Sequence, residues 1–117
     1  MSEWTIYHNP RCSKSRLALE HLRNHDIEPT VVKYLEEPLG AVTLDSLCRA
    51  MAIEPLAMMR TKEPLFKELG LSAKDERPRA EWLKIMADNP KLIERPIVVR
   101  DGQVVIGRPP ERVLELL

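Results

Sequence analysis

The spacing of apolar positions changes twice along the first third of the chain. Residues 3–8, EWTIYH, are rich in aromatic and β-branched types and stop at Asn9-Pro10, which predicts a strand ending in a turn. From Ser13 the spacing becomes helical, and Asn24-His25-Asp26 is expected to end the helix. The apolar stripe of this helix is formed by Ala18, Leu19 and Leu22, widened by Leu17. Residues 30–35 predict a second strand, so the order favours a right-handed βαβ unit with parallel strands.

Residues 43–90 have apolar positions at helical spacing, but this spacing is interrupted repeatedly. The interruptions predict about four short helices, and they fall at Pro55, Pro64, Gly70 and Pro78. This region is therefore interpreted as a helical insert.

The strand pattern returns after Pro96. Residues 97–100 and 103–106 are apolar runs separated by Asp101-Gly102, a strong signal for a β-hairpin. A last helix is predicted from Pro109-Pro110, since proline suits the first turn of a helix.

Taken in order, these elements predict an α/β protein with a thioredoxin-like fold. The expected architecture is a mixed four-stranded sheet with a helical insert, about residues 43–90, between the second and third strands. A length of 117 residues suits one domain spanning residues 1–117. This fold places a cis-proline just before the third strand, and Pro96 occupies that position.

Composition narrows the classes of partner. Lys plus Arg and Asp plus Glu are balanced at 18 each, without a basic block, so a nucleic-acid partner is not expected. No apolar run reaches the roughly 20 residues of a membrane span, and the N-terminus lacks a signal-peptide pattern. A cytoplasmic location, without membrane association and with both cysteines reduced, is the expectation.

Cys12 is the strongest candidate for chemistry. It stands at the start of the first predicted helix, where free backbone N–H groups and the helix dipole favour an anion. Polar or basic residues within four positions would lower the thiol pKa if they point at the sulfur; they are His8, Arg11, Lys14, Ser15 and Arg16. The competing interpretation is a buried, inert thiol, which this basic setting disfavours.

Other patterns limit the chemistry of Cys12. Cys48 lies among leucines at helical spacing and is predicted to be a core residue, while Ser15 replaces the second cysteine of a CxxC pair. Any redox cycle would therefore need an external thiol. A C-x5-R phosphatase loop is excluded because Ala18 occupies the arginine position. His21 and His25 have helical spacing but no evident third ligand, so no metal site is predicted.

Four separated motifs, NPRCSKSR, MMRTKEPLFKELGL, ERPIVV and GRPPERVLELL, resemble those of the glutaredoxin-coupled arsenate reductases. The resemblance extends over essentially the whole chain. It implies that Cys12 attacks arsenate and that three arginines, Arg60, Arg95 and Arg108, hold the oxyanion. It further implies that His8 and Ser15 stabilise the thiolate. Guanidinium forks suit bidentate binding of an anion that brings further negative charge against a thiolate.

The resemblance also implies a set of partners. Arsenate would be the substrate, glutathione a co-substrate and glutaredoxin a protein partner, with no bound cofactor. Arg11 and Lys14 make the loop more basic than in the best-known members, and no role is assigned to them. Two alternatives stay open: a glutathione-dependent thiol reductase with another substrate, and a non-catalytic regulatory protein on the same fold.

Overall fold

The computed structural model describes residues 3–117 and contains a four-stranded mixed sheet. The chain divides into two units, one formed by the described residues up to Glu37 with Arg95–Leu117, the other by Pro38–Glu94. The interpretation of residues 1–117 as one domain stays a prediction. Within residues 3–117, no helix combines the length and apolar character that crossing a bilayer requires.

Among the described residues, the first unit contains four strands and one α-helix. In chain order these are β1 (Trp4–Tyr7), α1 (Ser13–Asn24), β2 (Thr30–Val32), β3 (Ile97–Arg100) and β4 (Gln103–Ile106). The strand order is β2-β1-β3-β4; β1 pairs parallel with β2 and antiparallel with β3. This confirms the predicted βαβ unit and the mixed sheet.

The hairpin between β3 and β4 forms where it was predicted. Asp101 and Gly102 both have positive φ, 47° and 87°, as a two-residue hairpin turn requires. The peptide bond between Arg95 and Pro96 is cis, as expected for the position before the third strand, and the bond between Arg108 and Pro109 is also cis.

Two local predictions for this unit differ from the structure. Strand β2 ends at Val32 rather than at residue 35, because the carbonyl of Lys33 accepts turn hydrogen bonds from the N–H groups of Glu36 and Glu37. Leu17 is 47% exposed, since at about 100° per residue it points away from the buried stripe. The predicted C-terminal helix is confirmed at Pro110–Leu116 and is of the 3₁₀ type.

The core of the first unit lies where α1 and the C-terminal 3₁₀ helix cover the sheet. Burying these side chains contributes about 1.5–3 kcal/mol for each large apolar residue. The buried cluster is formed by Ile6, Ala18, Leu19, Leu22, Val98, Val105, Val113 and Leu116.

The second unit is the helical insert. Its α-helices are α2 (Ala41–Met51), α3 (Pro64–Glu68) and α4 (Arg79–Asp88), with 3₁₀ turns at Pro55–Met58 and Pro90–Leu92. The predicted interruptions are real: Pro55 and Pro64 each begin a helix, Pro78 precedes α4, and Gly70 follows α3 with φ of 72°.

Gly107 provides a test of the packing around Pro96. A Cβ at this position would lie 2.9 Å from the Pro96 ring and 3.0 Å from Val113. We therefore expect Gly107→Ala to lower the free energy of unfolding by about 1–3 kcal/mol, measured by urea denaturation. Gly40→Ala is the matched control, because within residues 3–117 no atom apart from its immediate chain neighbours lies within 4 Å of its added Cβ. Equal stability of the two variants would contradict this packing.

Candidate active site

The loop after β1 places Cys12 at the start of α1. Asn9 organises this loop, since its carbonyl accepts the Cys12 N–H at 3.0 Å and its side-chain oxygen accepts the Arg11 N–H at 3.0 Å. Cys12 has an extended conformation and is the residue directly before α1. Its thiol is partly exposed and unoxidised, so the sequence prediction of a cysteine at a helix N-terminus is confirmed.

The surroundings of Cys12 favour the thiolate. Partial burial raises its pKa, but the Arg95 guanidinium and the backbone N–H groups of Ser15 and Lys14 act more strongly in the opposite direction. The net result is a thiol pKa below the ordinary value. A thiolate is the nucleophilic form of cysteine, so the geometry prepares Cys12 for attack on an electrophile.

Arg95 is the charged side chain that lowers the Cys12 pKa most. Burial lowers its pKa, but interactions with Cys12 and Tyr34 outweigh burial and raise the pKa above its usual value. Arg95 is thus fully charged, and its Nε is buried with no hydrogen-bond partner among the residues described. Arg95 therefore brings both charge and donor capacity to the cysteine.

Arg108 contacts the backbone of Arg95 within the first unit. Its Nη1 donates to the backbone carbonyl of Arg95 at 3.3 Å. The structure thus brings the Arg95 side chain to Cys12 and the Arg108 side chain to the Arg95 backbone, and the role of Arg108 as an oxyanion ligand stays a prediction.

Arg60 belongs to the second unit. Its Nη1 forms an ion pair with Glu63 at 2.9 Å, and its backbone N–H donates to the Leu92 carbonyl at 2.7 Å. The paired side chain is only 22% exposed. Its role as an oxyanion ligand stays a prediction.

His8 and Ser15 form a buried pair at the loop of residues 8–12, which we call the cysteine loop. His8 Nδ1 lies 2.6 Å from Ser15 Oγ, and the same oxygen accepts the Asn9 N–H at 3.1 Å. Burial, and then the charges of Arg23, Lys33 and Arg16, lower the His8 pKa. His8 is therefore neutral at pH 7. The pair stabilises the loop through the hydrogen bonds of the Ser15 hydroxyl. The group of Ser15 that lowers the Cys12 pKa is its backbone N–H.

The neutral state of His8 gives a pH prediction for stability. Because its pKa is lower in the folded than in the unfolded chain, protonation favours unfolding. Its contribution should be complete above the ordinary pKa of about 6.5 and should be lost as the pH falls through the folded-state value. We expect the slope of unfolding free energy against pH between about pH 5 and 7 to decrease in His8→Asn. An unchanged slope would show that His8 is not held neutral.

Cys48 is a core residue, as the sequence predicts. It is fully buried in the second unit, with its Sγ 4.0 Å from the Met58 sulfur, and burial raises its pKa. Neither its burial nor its protonation suits thiol exchange.

Tyr34 is a neighbour of the site that the sequence pattern did not reveal. The pattern placed it in a strand, whereas it lies within the turn that follows β2 and is 1% exposed. It interacts with Arg95. A buried tyrosine usually needs a partner for its hydroxyl, but no sequence signal identifies which residue that partner is.

Comparison with known proteins decides the family. The model of the ArsC family matches residues 7–116. The chain belongs to the ArsC family. An Escherichia coli K12 relative, "Uncharacterized protein YfgD", is 50% identical over 113 residues, which are 96% of this chain and 94% of YfgD. An arsenate reductase from Haemophilus influenzae is 44% identical over 113 residues, 96% of this chain and 97% of the relative.

A solved structure agrees with this ArsC assignment. The arsenate reductase from Vibrio cholerae superposes with a TM-score of 0.93 at 49% identity and covers 98% of both chains. The resemblance found in the sequence motifs and the thioredoxin-like fold of this ArsC chain are thus confirmed.

Proposed function

We propose that the protein reduces arsenate to arsenite, with Cys12 as the nucleophile and with glutathione and glutaredoxin as reductants. The observation that carries this proposal is the Cys12 thiol at the start of α1, whose pKa Arg95 and the free N–H groups of the first helical turn lower. Relatives named arsenate reductase, such as the Haemophilus influenzae protein, support the choice of substrate.

Arginines suit the charge of this substrate. Arsenate at neutral pH is a tetrahedral oxyanion, and placing it against a thiolate concentrates negative charge in one small volume. Arg95 is charged and has a buried Nε without an acceptor among the described residues, and an arsenate oxygen would supply one. Arg108 and Arg60 are proposed to complete the oxyanion site. Forked, charge-assisted hydrogen bonds of this kind are roughly twice as strong as neutral ones.

The first two steps are substitutions at arsenic. The Cys12 thiolate attacks arsenic and one oxygen leaves as water, so a sulfur–arsenic(V) bond replaces an arsenic–oxygen bond. Glutathione then displaces a second oxygen, again lost as water. Covalent catalysis of this type divides one difficult two-electron reduction into easier steps.

The reduction itself follows. A glutaredoxin thiolate attacks the glutathione sulfur, and the electron pair of the arsenic–sulfur bond stays on arsenic, which becomes arsenic(III). Glutathione and glutaredoxin leave as a mixed disulfide, so two thiols are oxidised while arsenic gains two electrons. Water then displaces Cys12 from arsenic(III), which releases arsenite and restores the thiolate.

The need for external thiols is supported by the two cysteines of this chain. Cys48 is fully buried and its pKa is raised, and Ser15 stands where a CxxC motif would have its second thiol. Cys12 therefore has no obvious internal partner with which to close a disulfide.

The test is a turnover assay with purified components. Protein, arsenate, glutathione and glutaredoxin are combined, and arsenite is quantified by chromatography with arsenic detection. We expect arsenite only when all four are present. No arsenite, together with reduction of a glutathione mixed disulfide, would indicate a general thiol reductase instead. No turnover with either substrate, with an ordinary thiol pKa, would favour a non-catalytic regulatory protein.

A further inference from the structure

A cavity of about 420 Å³ opens beside the cysteine loop within the first unit. One wall is formed by residues 8–11, immediately before Cys12, and the other by Lys33, Leu35 and Glu36. Its volume falls within the roughly 300–1,000 Å³ typical of sites for small molecules. We call it the loop cavity.

The sheet explains why the loop cavity lies here. Strands β1 and β2 are parallel, so the loops that follow them leave from the same edge, and the His8 N–H still donates to the Val32 carbonyl at 2.8 Å. Beyond this bond the chains separate: one enters the cysteine loop, and the other turns at Lys33. The carboxyl ends of parallel strands are where α/β folds commonly bind ligands.

Within residues 3–117, the three charged side chains that line the loop cavity are not held in ion pairs, although the charge of Lys33 also lowers the His8 pKa. Among the residues described, the side chains of Arg11, Lys33 and Glu36 form no ion pair or side-chain hydrogen bond, although many other charged residues do. Each lies in the lining of the same cavity. Two cations and one anion therefore face one small volume beside the nucleophile.

A neighbouring cavity of about 350 Å³ provides a contrast. It is lined in part by Arg16 and Arg23, but their guanidinium groups are already engaged. Arg16 donates to the Pro10 carbonyl at 2.9 Å, and Arg23 is paired with Glu28 at 3.0 Å. The two cavities therefore differ in the availability of their cations, because both arginines of the neighbouring cavity already have partners.

We propose that the loop cavity is the glutathione site, in which Arg11, Lys33 and Glu36 bind the three charged groups of the tripeptide. This proposal rests on the proposed function, which requires glutathione to reach Cys12. Glutathione carries two carboxylates and one ammonium, which complement two cations and one anion. Lys33 and Glu36 share one turn and are assigned to the carboxylate and ammonium of the γ-glutamyl end. Arg11 is assigned to the glycine carboxylate.

The assignment also positions the thiol of the bound glutathione. The glutathione thiol lies between the two charged ends of the molecule, and Arg11 directly precedes Cys12. Binding both ends holds the thiol near the arsenic on Cys12 and reduces the entropy lost in the second substitution. Arg11 thereby acquires a role that its position in the sequence did not reveal.

A binding experiment tests the proposal without turnover. S-methylglutathione, whose capped sulfur cannot react, is titrated into the full chain while backbone amide shifts are followed by NMR. We expect shifts in the amides of His8, Asn9, Arg11 and residues 33–36, and weaker binding at high salt. Arg11→Gln, Lys33→Gln and Glu36→Gln should each raise the Kd about two- to five-fold, the range of partly exposed ion pairs. Arg23→Gln, in the neighbouring cavity, is the control and should leave the Kd unchanged.

The individual pairing is tested by changing the ligand as well. N-acetyl-S-methylglutathione lacks the ammonium and should bind the parent protein more weakly, yet Glu36→Gln should not weaken its binding further. Additive losses would contradict the assignment of Glu36. Shifts confined to other residues, or no binding of S-methylglutathione, would overturn the site.

Turnover separates this proposal from the proposed function. If the parent protein reduces arsenate, the three variants should raise KM for glutathione and leave kcat at saturating glutathione nearly unchanged. Unchanged KM in all three would overturn the loop cavity as the site while the function stands. Charge-dependent binding of S-methylglutathione without arsenite release would support the site and remove the function.

Discussion

Cys12→Ser is expected to abolish arsenate reduction, with a loss of more than about a thousand-fold in kcat, because a serine hydroxyl stays protonated at neutral pH. The basic setting that lowers the thiol pKa cannot ionise a hydroxyl to the same extent. The measurement is arsenite release with glutathione and glutaredoxin at saturation.

Cys48→Ala is the matched control for this change. Cys48 is buried in the second unit and its burial raises its pKa, so activity should be retained within about two-fold while stability falls by about 1 kcal/mol. Substantial activity in Cys12→Ser, or its loss in Cys48→Ala, would place the nucleophile elsewhere.

Arg95→Ala is expected to cause the second largest loss, about a hundred- to a thousand-fold in kcat/KM for arsenate. Two effects combine in this variant. The Cys12 pKa rises because the largest of the interactions that lower it is removed, and the oxyanion loses a forked donor. Alkylation kinetics should show the first effect as a transition displaced to higher pH, and turnover should show both.

Two further variants separate charge from geometry. Arg95→Lys keeps the charge but loses the planar fork, so it should restore part of the thiol pKa shift and less of the arsenate affinity. Arg112→Ala is the control, since Arg112 is an exposed residue whose Nε lies 3.6 Å from Glu115. If Arg95→Ala and Arg112→Ala had the same thiol pKa, Arg95 would not be the residue that activates Cys12.

The sequence was sufficient for most of the fold because its local signals agree with one another. The Asp101-Gly102 turn, the prolines that begin helices, and the alternation of strand and helix periods all point to the observed order of elements. The end of strand β2 was predicted incorrectly from the local sequence pattern. Its apolar run continues to residue 35, but turn hydrogen bonds to Lys33 end the strand at Val32, and no apolar period reveals such a turn.

The position of Cys12 could also be predicted, because a cysteine between a strand and a helix lies in the connecting loop, at the N-terminus of that helix. The partners of that cysteine were harder to predict. Arg95 is 83 residues away in sequence, counted from positions 12 and 95, and only the motif resemblance singled it out. His8 was expected to add positive charge, whereas burial makes it neutral and bonds it to Ser15. Burial of a single histidine is a tertiary property that local sequence does not encode.

The charged lining of the loop cavity illustrates the same limit. Lys33 and Glu36 belonged to a predicted strand and its end, while Arg11 was noted only as an unusual basic residue in the cysteine loop. Their proximity depends on the parallel pairing of β1 with β2. Sequence spacing alone gives no reason to group them.

The central claim is that Cys12 is a thiolate beside an oxyanion site, and the pH dependence of its alkylation tests this most directly. The Cys48→Ala variant isolates one thiol, and the rate is measured with and without arsenate. We expect a transition below the value of about 8.5 for an ordinary cysteine, because the Cys12 pKa is lowered, and slower alkylation when arsenate is present. A transition near 8.5 without protection by arsenate would contradict it.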